Sequence, residues 1–150
     1  MALDLQQIND RIEIEELLAR YSRALDLRHF EELEGIFTED GQFDAGGLGH
    51  PQGPAAIREM IEGTIGGLDA TQHLVGKSLI VFSDDGHTAE VRTYLISQHI
   101  RESTPGPIKH YFLGGEYFDR VVRTPDGWRI AFRRLDRMWK QGDRAVISHA

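Results

Sequence analysis

Apolar residues in the first part of the chain recur with the period of an α-helix. The residues are Ile14, Leu17, Leu18, Tyr21 and Leu25. Their spacing of i, i+3, i+4, i+7 and i+11 places them on one stripe of a helix. Asp4 and Gln7 precede the stripe at the spacing of a capping box, in which each side chain bonds the backbone of the other residue. The pattern predicts a long amphipathic helix that starts near Asp4.

Two shorter helices are predicted before residue 70. One covers 29–37, ends before a turn at 38–41 and is followed by a short strand at 42–44. Its inward apolar residues would be Phe30, Leu33, Ile36 and Phe37. The other begins at a proline suited to the first helical turn and covers 54–63. Its buried face would carry Ile57, Met60 and Ile61.

After residue 70 the apolar period changes to two, which is the period of a β-strand. Four strands are predicted, at 74–82, 87–101, 110–123 and 128–139. Within the third strand Gly114–Gly115 predicts a bulge or bend, and the segment after that strand, 124–127, predicts a hairpin turn. One face of the second strand carries Ala89, Val91, Thr93, Leu95, Ser97 and His99.

Helices that precede a run of strands predict an α+β fold, because no helix alternates with the later strands. We expect three N-terminal helices to pack on one face of a curved, cone-shaped antiparallel or mixed sheet and to enclose a pocket. The chain length suits a single domain, 1–150, in which residues 141–150 form a tail or a short segment that bridges subunits. The outer face of such a sheet is apolar and needs cover, so we expect copies of the chain to associate.

Composition excludes several kinds of chemistry. The chain has no cysteine, which removes disulfides, thiolate metal sites and cysteine nucleophiles. Its sequence contains neither a signal peptide nor a run of about 20 apolar residues, so we expect a soluble, cytoplasmic protein without membrane contact. No His-x-His or His-Glu-x-x-His spacing indicates a metal, and Gly46–Gly49 lies outside any βαβ unit, so we expect no cofactor.

The net charge of −7 is distributed unevenly. Residues 1–70 carry 15 acidic and 5 basic side chains, whereas residues 71–150 carry 9 acidic and 12 basic ones. The basic side chains of the last strand alternate with apolar residues and do not form a stripe with aromatic platforms. We therefore do not expect nucleic-acid binding.

Three regions, taken in order, resemble the SnoaL-like branch of the nuclear transport factor 2 fold superfamily. The segments that carry the resemblance are Ile14–Tyr21 with Ala24–Asp26, Phe37–Gly41, and Gly114–Asp119 with Gly127–Ile130. The resemblance implies the cone fold and association into dimers or trimers. It leaves the function open, because this fold hosts isomerases, dehydratases, epoxide hydrolases, cyclases, dehydrochlorinases and non-catalytic subunits.

Three lyase branches of this family share an aspartate late in the first helical region and a histidine before the first long strand. They are scytalone dehydratase, the bile-acid 7α-dehydratases and the hexachlorocyclohexane dehydrochlorinase. Asp26 and His73 fall at these places, so the resemblance implies a catalytic pair. A neutral imidazole suits proton abstraction from carbon, and a carboxylate behind it fixes its tautomer. From position alone, Asp26 would cap the second helix and His73 would begin a strand at the surface.

Four further residues are candidates for substrate binding. Tyr21 and Arg137 match a tyrosine and an arginine of the bile-acid branch, and Arg133 falls where the dehydrochlorinase has its arginine. His99 lies about where scytalone dehydratase has its second histidine, although Leu25 stands where that branch has a tyrosine. Tyr21 would polarise a substrate carbonyl, and either arginine would hold a carboxylate or a leaving-group oxygen. Otherwise Tyr21 and His99 are core residues whose polar atoms are satisfied locally.

The sequence leaves the orientation of the last strand open. Arg133 and Arg137 are four residues apart and share one face, opposite to Trp128, Ile130 and Phe132. If the apolar residues face the cavity, the arginines point outward or into a subunit interface, and a bulge after Phe132 would reverse this. The remaining histidines are placed at a strand start (His110) or at the surface (His29, His50, His87 and His149).

The favoured function is a cofactor-independent lyase of the dehydratase type. Its substrate would be a small hydrophobic molecule that is either cyclic or similar to a steroid or a polyketide. An isomerase or cyclase that acts through an enolate is an alternative, and a non-catalytic ligand-binding or assembly module is another. The product mass separates the first two, because dehydration removes water and isomerisation leaves the mass unchanged.

Overall fold

The first helix of the chain begins at the predicted cap. The structure, a computed structural model, describes residues 2–148. Helix α1 covers Leu5–Asp26, and at its start Gln7 N donates to Asp4 Oδ1 at 2.7 Å while Asp4 N donates to Gln7 Oε1 at 3.2 Å. The capping box is therefore confirmed, and the whole predicted apolar stripe is buried.

Five strands form one curved, mixed sheet. They are β1 Phe37–Asp44, β2 Ala70–Phe82, β3 Thr88–Ile100, β4 His110–Thr124 and β5 Gly127–Gly142. Their order across the sheet is β1-β5-β4-β3-β2, with β1 parallel to β5 and all other neighbours antiparallel. A second helix, α2, covers Pro54–Ile65 and lies before β2 in the chain. The predicted α+β fold class is confirmed.

Some boundaries before β2 differ from the prediction. Phe30–Gly35 is a 3₁₀ helix and not an α-helix, although its apolar side chains are buried as expected. The predicted turn at Thr38–Gly41 falls within β1, where the register with β5 shifts: Phe37 pairs with Ile130 and Gln42 with Phe132, and the four residues between them have no partner on β5. Helix α2 continues past Gly63 and buries Ile65 at its last turn.

Two later segments also differ from the prediction. β2 begins at Ala70, so His73 lies within a strand and not before one. Residues 141–148 are not a tail, because β5 runs to Gly142 and a 3₁₀ helix over Arg144–Val146 follows. The last part of this segment is held in the core by buried Val146 and Ile147. His149, expected at the surface, lies outside the described residues.

A bulge in β5 decides the orientation that the sequence left open. Ala131 has no partner on β4 and forms an extra residue between Ile130 and Phe132. Because the alternation of faces resets there, Arg133 joins Ile130 and Trp128 on the buried face. The expected grouping of Phe132 with these two apolar residues is wrong.

The ladder is irregular at the glycine pair of β4 as predicted, but the extra residue, Met138, lies on β5. The register with β5 shifts between Gly114, which pairs with Trp139, and Gly115, which pairs with Arg137. A Cβ added at Gly114 would lie 2.2 Å from the Trp139 side chain, so the indole can lie across the strand only because this residue is glycine.

The two faces of the sheet differ in exposure. The face of β3 that carries every second residue from Ala89 to His99 is buried throughout. Elsewhere on the strands large apolar side chains remain exposed, among them Leu74, Leu79, Val81, Tyr94 and Ile96. The association of copies of the chain stays a prediction. No helix within residues 2–148 is long and apolar enough to cross a membrane.

Candidate active site

Asp26 is the last residue of α1, and the end of the helix fixes its place. Arg28 adopts the left-handed conformation, with φ of 65°, and its backbone N donates to Leu25 O at 3.3 Å. Its side chain donates to Leu25 O at 2.8 Å and to Leu68 O at 3.2 Å. Arg28 thus fills the place that glycine usually takes after a helix, and its side chain ties the helix end to the segment before β2.

The carboxylate of Asp26 holds His73 at two atoms. Oδ2 accepts a hydrogen bond from the backbone N of His73 at 2.8 Å, and Oδ1 lies 2.7 Å from its Nδ1. A carboxylate only accepts hydrogen bonds, so Nδ1 carries the proton and a neutral ring leaves Nε2 as the acceptor. The pair is largely buried, with 20% of the Asp26 side chain and 7% of the His73 side chain exposed.

The His73 side chain reaches the wall of a mostly apolar cavity between the helices and the sheet. The cavity and its mouth enclose about 520 Å³. Its apolar lining includes Leu25, Phe43, Ile61, Leu95 and Leu113. Its polar lining consists of Tyr21, Thr64, His73, Ser97, His99 and Tyr117. The cavity therefore offers a few polar groups within an apolar enclosure, which is typical of small-molecule sites.

His99 is a neutral neighbour of His73. The two ring centres are 5.5 Å apart and the planes are nearly perpendicular, at 87°. The Nδ1 of His99 lies 3.2 Å from Tyr111 O, which only accepts, so this nitrogen donates and Nε2 is an acceptor. Burial, followed by the positive charge of a protonated His73, lowers the pKa of His99 to about 4. His99 is both a satisfied core residue and part of the cavity wall.

Two tyrosines, Tyr21 and Tyr117, form another part of the lining. Their ring centres are 5.9 Å apart in an edge-to-face arrangement. Burial raises the pKa of both phenols above the ordinary value. Both hydroxyl groups therefore keep their protons at neutral pH and can donate hydrogen bonds.

Arg133 lies behind these rings and does not line the cavity. Its Cζ is 4.1 Å from the ring centre of Tyr21 and 3.9 Å from that of Tyr117, so both rings cover its guanidinium group. Its Nε and Nη2 donate to Asp119 Oδ1 and Oδ2 at 2.7 and 2.8 Å. Burial alone would lower the pKa of Arg133, but the facing carboxylate outweighs this effect and raises it. Contact between Arg133 and a ligand would require a tyrosine ring to move.

Arg137 lies apart from the pair. Its side chain lines a separate small hollow, and its Nη2 donates to Ala45 O at 3.0 Å. Of the candidates from the sequence, the cavity brings together Tyr21, His73 and His99, while Asp26 stands directly behind His73. The catalytic and substrate-binding roles of all six candidates stay predictions.

Sequence reasoning missed Tyr117 and Asp119. Both lie on the inward face of β4 with Val121, at the alternation that a strand imposes. An aspartate between an aromatic and an aliphatic residue on a buried face indicates a buried basic partner, and here that partner is Arg133. No set of three or more histidine or acidic side chains in the described part of the chain is arranged to hold a metal ion.

A curved sheet closed by helices, with a carboxylate–imidazole pair at an apolar cavity, defines the class of this protein as a small α+β cone with an internal pocket. Residues 6–134 match the SnoaL-like domain, and the chain belongs to that family. An uncharacterized relative, Rv2910c from Mycobacterium tuberculosis, is 34% identical over 135 residues, which span 89% of this chain and 88% of the relative.

Solved structures of enzymes share this fold. A proposed scytalone dehydratase from Novosphingobium aromaticivorans superposes with a TM-score of 0.80 at 28% identity, over 95% of this chain and 90% of that one. The hexachlorocyclohexane dehydrochlorinase LinA-type3 from Novosphingobium barchaimii superposes with a TM-score of 0.82 at 13% identity, over 99% of both chains. At 13% identity, the similarity to the dehydrochlorinase shows a shared fold alone. The fold is thus shared with proteins that process small molecules.

Proposed function

We propose that this protein is a cofactor-independent lyase that removes water from a small, largely apolar carbonyl compound. One observation carries the proposal: Asp26 Oδ1 lies 2.7 Å from His73 Nδ1 while the His73 side chain lines the apolar cavity. This arrangement commits one ring nitrogen to the carboxylate and leaves the other, Nε2, as a base.

In the proposed reaction His73 Nε2 takes a proton from the carbon next to the substrate carbonyl. The electron pair of that C–H bond forms the new double bond, and the bond from the neighbouring carbon to its hydroxyl group breaks. The imidazolium gives its proton to the departing hydroxyl, which leaves as water. Asp26 stabilises the imidazolium between these two proton transfers, as the carboxylate does in other acid–base pairs.

Tyr21 is proposed to polarise the substrate carbonyl. It lines the cavity, and the raised pKa that burial gives its phenol keeps it protonated and able to donate. A hydrogen bond to the carbonyl oxygen becomes stronger as negative charge develops there, and this lowers the barrier to proton removal. His99, neutral beside His73, would contact the substrate as a hydrogen-bond acceptor.

The reaction is tested with a panel of small cyclic β-hydroxy ketones and mass analysis of the products. We expect products lighter by one water with the unaltered protein, and a loss of about 10²–10⁴-fold in rate with His73→Gln. His87→Gln, which changes an exposed histidine of the β2–β3 turn, is the matched control and should leave the rate unchanged.

Two other results would contradict the proposal. A product of unchanged mass whose formation requires His73 would assign an isomerase or cyclase working through an enolate. Binding of the panel without any turnover, equal in the protein and in His73→Gln, would assign a non-catalytic ligand-binding module.

A further inference from the structure

A second hollow lies against the cavity and shares part of its wall. Leu48 and Ile147 line both spaces, so only these two apolar side chains are common to them among the described residues. The second space, with its opening to solvent, encloses about 420 Å³. A ligand that occupied both spaces would pass Leu48 and Ile147.

The charge of this second space differs from that of the chain as a whole. Its lining includes Arg137, Lys140 and Arg144, and we name it the basic hollow after these three residues. No acidic side chain is part of its lining within residues 2–148, and none forms an ion pair with any of the three. Three exposed cations thus line one hollow in a protein whose net charge is −7.

Two of the guanidinium groups lie beside a glycine-rich turn. A Cβ added at Gly46 would lie 3.0 Å from Arg137 Nη1, and one at Gly47 would lie 3.4 Å from Arg144 Nη2. The hydrogen bond from Arg137 Nη2 to Ala45 O holds the Arg137 side chain at the turn. Arg137 is therefore partly placed before any ligand binds, which reduces the entropy lost on binding.

We propose that the basic hollow binds an anionic substituent, a carboxylate or a phosphate, of a molecule whose apolar part occupies the cavity. This inference rests on the proposed function, because it names the class of substrate that the same cavity would take. Arginine and lysine form strong charge-assisted hydrogen bonds with both kinds of anion. The substrate would then be amphipathic, with its anionic group and its reacting carbon on opposite sides of Leu48 and Ile147.

Calorimetric titration with octanoate, octyl phosphate and octanamide tests the proposal. The three probes share an apolar chain and differ in charge. At low salt we expect the better of the two anions to bind at least about 10-fold more tightly than the amide, and added salt to reduce this difference. The comparison of octanoate with octyl phosphate shows which anion the site prefers.

Two charge-removing variants locate the effect. Arg144→Gln and Lys140→Gln should each weaken binding of the preferred anion about 3–10-fold and change amide binding by less than about twofold. Lys77→Gln is the control, because it removes an equal charge from β2, at the opposite edge of the sheet from β1. It should change neither the binding of the anion nor the binding of the amide.

Several results would overturn the inference. One such result is that octanamide binds as tightly as both anions. Another is that acetate and inorganic phosphate bind as tightly as the octyl probes, which would show that the site takes a free ion. A change in oligomeric mass on sedimentation of Arg144→Gln, without weaker anion binding, would assign the hollow to a contact between copies of the chain. His73→Gln should keep the anion preference, so loss of turnover and loss of this preference are separate results.

Discussion

Two of the acid–base pairs buried within residues 2–148 differ in what they leave free. Asp119 faces Arg133, whose charge is permanent, and two tyrosine rings cover the guanidinium group. Asp26 faces His73, whose charge can change, and the imidazole lines the cavity. Burial and pairing alone therefore do not make such a pair reactive. A reactive pair also needs an atom that is free to exchange a proton with a ligand.

The largest expected effect separates the two pairs by activity. Asp26→Asn should reduce the dehydration rate about 10²–10⁴-fold, because an amide neither fixes the required tautomer of His73 nor stabilises its imidazolium form. Steady-state rates measured by product mass check this expectation. Asp84→Asn, in the exposed turn after β2, is the matched control. An unchanged rate in Asp26→Asn would remove the reactive role from this pair.

The second effect separates the pairs by stability. Asp119→Asn should lower the free energy of unfolding by about 3–5 kcal/mol, because it leaves the buried charge of Arg133 without a counter-charge. Asp136→Asn breaks an ion pair with Arg134 that is 42% and 39% exposed on the two sides, and it should cost less than about 1 kcal/mol. Urea unfolding of both variants measures the difference. Equal losses would mean that the burial of Arg133 carries no special cost.

The third effect concerns the neutral histidine beside His73. The ordinary pKa of histidine is 6.5, and that of His99 in the folded protein is about 4. Between these values the unfolded chain binds a proton at this residue and the folded chain does not. Stability should therefore fall as the pH drops from 6.5 to 4, by about 3 kcal/mol in total.

Free energies of unfolding measured at several pH values between 4 and 6.5 check this expected fall in stability. His99→Gln should flatten the dependence between pH 4 and 6.5, whereas His87→Gln, exposed in the turn before β3, should leave it unchanged. A slope that persists in His99→Gln would place its source at another group.

The smallest effect concerns the helix end that holds Asp26. Arg28 has a φ of 65°, which glycine adopts easily and alanine does not. Both Arg28→Gly and Arg28→Ala lose the side-chain bonds to Leu25 and Leu68, so their difference isolates the backbone conformation. We expect the glycine variant to be more stable by about 1 kcal/mol in thermal unfolding. Equal stability would indicate that the helix end changes its conformation in the alanine variant.

Local patterns predicted most of the fold. The alternation in β3 and the capping box of α1 depend on neighbours in the sequence, and both were read correctly. Thr38–Gly41 has the composition of a turn, yet it lies within β1, because Phe37 and Gln42 on either side of it pair with Ile130 and Phe132 of β5. Such distant pairing leaves no trace in the local pattern.

The site shows the same limit. Asp26 and His73 are 47 residues apart, and only a family resemblance linked them before the structure was known. The inward orientation of Arg133 depends on one extra residue, Ala131, whose bulge has no glycine or proline to signal it. Bulges without such residues arise from packing across the sheet, which periodicity alone does not describe.

The wall between the cavity and the basic hollow has a consequence for how relatives of this protein diverge. Leu48 ends a short 3₁₀ helix, Gly46–Leu48, and Ile147 follows another, Arg144–Val146, whereas Asp26 and His73 belong to α1 and β2. Mutations at the wall would lengthen or shorten the accepted ligand while the framework of the paired groups is inherited intact. Related proteins would therefore differ in the length of the ligand they accept while they keep the same acid–base pair, through changes at as few as two side chains.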